Sequence, residues 1–148
     1  QADCILSLCD CMNYLIEDGQ LESAFQSIAA HMKKESLFLF DMNTEYKFRE
    51  VLGQRAFGSA EEAAAYIWEN DYDEEEKINE YYVSFFIAQE NGLYERVEEY
   101  HYERAYSIEE IEQALQAAGL ALLEVTDGYC FAPPQERSER LLFAAKLK

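Results

Sequence analysis

The stretch Asp3-Cys4-Ile5-Leu6-Ser7-Leu8-Cys9-Asp10-Cys11-Met12-Asn13-Tyr14-Leu15 starts apolar and then breaks into small polar residues. Residues 5–8 have the length and character of a buried strand. Cys9, Asp10 and Cys11 close it, and Asn13 follows at once. Downstream, Leu21, Ala24, Phe25, Ile28, Ala29 and Met32 recur at the spacing of one face of an amphipathic helix. Lys33 and Lys34 at its end suit the negative pole of the helix dipole. A second apolar run, residues 37–40, closes in turn on Asp41, Asn43 and Thr44. Strand, helix, strand is the parallel βαβ unit. Ligands of open α/β sheets lie outside the carboxyl ends of the strands. Both runs put their polar residues there, and Asp10, Asn13 and Asn43 become candidate functional residues.

Outward from this unit, Asp18 is the expected cap of the first helix, with Gly19 beside it. The run 37–40 is apolar on both faces, as expected of a central strand covered by helices on each side. Residues 45–52 read as a helix or ordered loop, and 61–65 as a helical turn. From Tyr66 the pattern becomes β: 66–72, 77–89 and 93–103 read as an antiparallel meander, with Glu90-Asn91-Gly92 as a hairpin turn. Ser107 with Glu110 three residues on is a capping box. Ile108, Ile111, Leu115 and Ala118 form the stripe of that helix, and Gly119 ends it. Strands follow at 120–125 and 140–147. The fold class is therefore α/β: one domain over 1–148, with an antiparallel β insertion at 64–104.

The chain has 148 residues, 49% of them apolar, enough for a globular core. Its 30 acidic and 12 basic residues give a net charge of −18. Nucleic-acid binding draws on Lys and Arg contacts with phosphate, so this balance argues against nucleic-acid partners and against anionic membranes. No apolar run approaches the ~20 residues of a membrane span. Cys4, Cys9, Cys11 and Cys130 do not form a zinc pattern, because Cys9-x-Cys11 lacks the usual spacing and a second knuckle. Cys4 reads as a small hydrophobe in a strand. No metal and a cytoplasmic setting are the expectations.

These words, in this order, resemble the carboxyl-terminal part of a class I S-adenosylmethionine-dependent methyltransferase. The resemblance is carried by Leu8-Cys9-Asp10 with Met12-Asn13-Tyr14-Leu15, by the helix ending His31-Met32-Lys33-Lys34, and by Leu37-Phe38-Leu39-Phe40-Asp41-Met42-Asn43-Thr44. It continues through Tyr66-Ile67-Trp68-Glu69-Asn70, Ser107, Gly119 and Leu141-Leu142-Phe143-Ala144. It implies a Rossmann-like methyltransferase sheet, incomplete on its amino-terminal side and entered at the fourth strand. The glycine-rich loop and the acidic strand end that hold the cofactor in that family have no counterpart among these residues.

By the same resemblance the cofactor is S-adenosylmethionine, bordered by Leu8, Cys9 and Asp10, and the partner is a small-molecule methyl acceptor. Asp10 and Asn13 are the catalytic candidates. Asn43, Tyr46, Trp68, Tyr72 and Tyr129 are candidates for the acceptor pocket. The competing readings are structural: Asp10 and Asn13 as turn caps, Asn43 or Thr44 as a helix cap, and the tyrosines as core or surface. The rival function is a non-catalytic binding or dimerisation module, a homodimer paired through an exposed sheet edge.

Overall fold

The computed structural model describes residues 1–148 as two four-stranded sheets with two α-helices on one of them. In chain order the elements are β1 (Ala2–Ser7), α1 (Gln20–His31), β2 (Met32–Asn43), β3 (Ala56–Ala60), β4 (Ala64–Asp73), β5 (Ile78–Ala88), β6 (Tyr94–Arg104), α2 (Ile108–Ala117), β7 (Leu120–Asp127) and β8 (Arg140–Leu147). The first sheet has the order β1-β2-β8-β7, with β1 parallel to β2 and the other pairs antiparallel. The second is the meander β3-β4-β5-β6. No helix is long and apolar enough to cross a membrane.

The βαβ unit forms as its apolar runs dictate. Alternation along β2 sends Phe38, Phe40 and Met42 to one face, where they meet Phe25 of α1 and Leu115 of α2. Phe40 stacks on Phe38 at 4.6 Å and on Phe143 of β8 at 4.8 Å. This aromatic column is fully buried. Both helices belong to that one core, and the other face of the sheet is uncovered, contrary to the expectation of helices on each side. Cys4 and Leu6 of β1 pair with Leu37 and Leu39 on that open face. Leu6 is 59% exposed there, and Cys4 is exposed rather than buried.

Local chemistry explains the remaining boundaries. The capping box at Ser107 is complete: its hydroxyl accepts from the Glu110 amide at 3.1 Å, and the Glu110 carboxylate accepts from the Ser107 amide at 2.7 Å. At α1 the cap is Gly19, at a positive φ of 81° that glycine adopts freely, and not Asp18. The Asp18 carboxylate instead accepts from Arg104 at 3.1 Å. Residues 61–65 do not form a helical turn. Residues 61–63 join β3 to β4, Ala64 and Ala65 open β4, and β3 itself is a strand the sequence pattern does not predict.

Two substitutions separate the buried column from the surface. Phe40→Ala is expected to cost about 3–5 kcal/mol by emptying a closed site. Phe131→Ala, at a ring 79% exposed, is expected to stay within about 0.5 kcal/mol. Urea unfolding of both variants checks this, and equal costs would refute the core assignment.

Candidate functional site

The carboxyl ends of β1 and β2 are joined by one buried carboxylate. Asp41 accepts from the Cys9 amide at 2.8 Å and the Asp10 amide at 3.3 Å, and it pairs with Arg140 at the start of β8. Cys9 and Asp10 are held in the left-handed backbone region, at φ 60° and 54°. The turn thus projects the Asp10 carboxylate back over the sheet end. One Asp10 oxygen accepts from Arg140 at 3.0 Å and the other from the Asn43 amide group at 2.8 Å.

The second sheet closes over this end. Its Glu103, on β6, is buried and accepts through Oε2 from Asn43 at 3.0 Å and from the Tyr81 hydroxyl at 3.1 Å. Between the two sheets lies a cavity of about 200 Å³. Asp10, Asn43 and Lys47 line it from the first sheet and the helical segment after it, and Trp68, Tyr81 and Glu103 from the second. Tyr14 and His101 stand at its side, with the Tyr14 oxygen 3.2 Å from His101 Nδ1. The Trp68 and Tyr81 rings are 5.5 Å apart.

Burial and the nearby Asp10 charge push Glu103 up to about 7, against the pull of the Asn43 and Tyr81 hydrogen bonds. Burial also raises the Tyr81 and Tyr14 hydroxyls, helped in both by the Glu103 charge. Lys47 is lowered, by burial first and Arg140 second, and its ammonium donates to the side-chain oxygen Oδ1 of Asn43 at 2.8 Å.

Of the residues picked out in the sequence, Asp10, Asn43 and Trp68 come together on this cavity. Leu8 and Cys9 are exposed beside Asp10. Asn13 is fully buried and does not line the cavity. Its amide group donates to the Asn43 and Arg104 carbonyls, and its oxygen accepts from the Asn43 amide, so it ties β2 to β6. Tyr46 lies instead in a separate groove with Arg49 and Arg137. Tyr72 is buried in the small core of the second sheet, against Phe48, and burial pushes its hydroxyl up to about 12. Tyr129 is 55% exposed near Asp41. The helix-cap alternative falls to Thr44, whose hydroxyl accepts from the Lys47 amide at 3.1 Å.

Sequence reading missed Glu103, Tyr81, Tyr14, Lys47 and His101. One signal existed. Tyr81 pairs with His101 and Asn79 with Glu103, so alternate residues of β5 and β6 share one face. That face combines aromatic and ionisable residues at the meander's inner end.

No protein-family model matches the chain. It is 34% identical over 144 residues to a curated protein of Geobacillus sp. (strain WCH70) named Putative methyltransferase, covering 97% of this chain and 58% of that one. It is 33% identical over 147 residues to Putative methyltransferase YqeM of Bacillus subtilis (strain 168), covering 99% and 59%. The crystal structure of an S-adenosylmethionine-dependent methyltransferase from Clostridium acetobutylicum ATCC 824 matches with a TM-score of 0.89 at 33% identity, over 98% of this chain and 58% of that one. In sequence the chain is similar to these methyltransferase-named proteins, and its fold is methyltransferase-like. It spans a little under three fifths of the curated relatives' length, 58% and 59%.

Two measurements test the site's electrostatics. Asp41→Ala leaves Arg140 short of a partner and frees the Cys9-Asp10 turn, for an expected loss of about 3–5 kcal/mol in chemical denaturation. The second concerns Glu103, whose folded value lies above its unfolded one, near 4.5. Its contribution to stability is full below that value and is lost as pH rises to about 7, a swing on the order of 3 kcal/mol. Glu103→Gln should flatten this part of the stability–pH curve. An unchanged slope would contradict the assignment.

Proposed function

We propose that this chain is the part of a methyltransferase from the fourth strand onward, acting with S-adenosylmethionine on a small-molecule acceptor, and that the meander is its substrate lid. The observation that carries the reading is the cavity at the carboxyl ends of the parallel pair β1 and β2, roofed by the second sheet. It occurs in a chain about one third identical to methyltransferase-named proteins. The acidic balance of the sequence favours a small acceptor over nucleic acid. Four free, exposed cysteines suit the reducing cytoplasm.

S-adenosylmethionine, when bound, supplies an electrophilic methyl group on a sulfonium, so the protein's task is chiefly positioning. Leu8 and Cys9 would border its methionine end, and their fit is that of exposed apolar and thiol groups beside a fixed carboxylate. Asp10 lines the cavity and would border both cofactor and acceptor there. Asn13 acts through Asn43, as a positioning residue. Further parallel strands would join the outer edge of β1, and helices would cover Leu6, Leu8 and Leu37 on the open face.

That same open face supports the rival reading, a module that dimerises through its β1 edge. Calorimetric titration with S-adenosylmethionine, of this chain and of the complete product of its gene, decides between them. Saturable binding by the complete product, weakened about tenfold or more by Asp10→Asn, is the expected result. No binding by the complete product, with a stable dimer in light scattering, would favour the rival.

A further inference from the structure

The cavity is small, chemically one-sided and built around one buried carboxylate. Glu103 is buried, and its two hydrogen-bond donors, Asn43 and Tyr81, both reach Oε2. Glu103 lines the cavity beside Asp10 and Tyr14. The Asp10 oxygens are taken by Arg140 and Asn43, and Lys47 is turned onto Asn43. Charges around the site come from Asp10, Asp41 and Glu103 against Lys47 and Arg140, so one negative charge is left over. Aromatic rings of Tyr14, Trp68 and Tyr81 complete the walls. A ring face attracts a cation, and more strongly when water is excluded. A volume of about 200 Å³ is below that of a whole drug-sized site. It suits a compact head group.

We propose that the methyl acceptor presents an amine to this cavity, bound as an ammonium among the aromatic rings, and that the Glu103 carboxylate receives its proton. The inference rests on the methyltransferase reading and adds the acceptor's chemical class. One N–H bond breaks, its electron pair stays on nitrogen, and the proton passes to Glu103 and then to solvent. The freed pair is what takes the methyl group from a sulfonium donor, whose departing C–S electron pair stays on sulfur. A carboxylate serves this step because it must accept and release a proton near neutral pH. The groups that share its surroundings are Asp10, Tyr14, Lys47, Tyr81, His101 and Arg140.

The test uses three probes that share a ring and differ in the head: benzylamine, benzyl alcohol and benzoate. They are titrated into the complete gene product by calorimetry, with Trp68 fluorescence as a second signal. Benzylamine is expected to bind about tenfold or more tightly than either of the others. Its affinity should rise with pH up to about 7, as Glu103 loses its proton, while that of benzyl alcohol stays flat. Glu103→Gln should lower benzylamine affinity about tenfold and abolish that rise. Equal or tighter binding of benzyl alcohol or benzoate would overturn the proposal. So would a pH-independent benzylamine affinity in the unsubstituted protein, which needs no variant to fold. S-adenosylhomocysteine is titrated separately. Its binding without benzylamine binding would sink the amine proposal and leave the methyltransferase reading intact. Benzylamine binding without it would keep the ammonium site and remove the methyl-transfer reading.

Discussion

Asp41 is a carboxylate with no exposure to solvent, and the candidate site depends on how its charge is met. Burying an isolated charge is too costly for a small domain to tolerate, so it must be paired and fully hydrogen-bonded. Asp41 meets that demand with groups from separate places: two consecutive amides of the turn after β1, and Arg140 from the first residue of β8. Satisfying one charge therefore fixes the relative positions of three strand ends. It also explains why Cys9 and Asp10 are held at positive φ without being glycine. The strain of that conformation, on the order of 1–3 kcal/mol, is offset by the hydrogen bonds it permits. Asp10 then shares Arg140, and its position follows from that of Asp41.

From this anchor the order is passed to the second sheet through amides rather than through apolar packing. Asn13 bonds to β2 on one side and to the Arg104 carbonyl of β6 on the other. Asn43 bridges Asp10 and Glu103 with one amide nitrogen. The two hydrophobic cores remain separate, one under the first sheet and one beneath the meander. The seam between them is polar, and that is where the cavity lies. Apolar surface holds each sheet together and directional hydrogen bonds set one against the other. A polar seam of this kind fixes a geometry that non-directional burial would leave loose.

The fold was legible wherever burial wrote a period into the chain. The runs at 5–8 and 37–40, the helix ending near Met32, the capping box at Ser107 and the last strand at Arg140 all follow from apolar spacing or a specific cap. β3 was not legible because all five of its residues are exposed and carry no alternation that a sheet face would impose. Cys4 and Leu6 misled because an apolar residue in a strand was taken to be covered, whereas here it lies on the open face. In the site, Asp10, Asn43 and Trp68 could be picked out as polar strand ends or a pocket aromatic. Glu103 could not. It ends a strand full of glutamates, and its neighbours Asp10 and Asn43 are far away in sequence. Tyr72 and Tyr46 show the converse. Aromatic identity alone does not tell a pocket wall from a core or a surface groove.

That contrast bears on what the meander contributes. Most of β6 is exposed and solvated, from Tyr94 to Tyr100. Only its last residues, His101, Glu103 and Arg104, meet the first sheet and the turn after β1. Water can ionise the outer glutamates at little cost, but at Glu103 the protein must replace the water. It does so with Asn43 and Tyr81, at a residue that lines the cavity. A residue type that is a solubility device along the exposed part of the strand thus becomes a poised acid–base group near its end. The change comes from the environment alone: the same carboxyl, desolvated and set beside Asp10, moves into the range where a proton can be taken up and released.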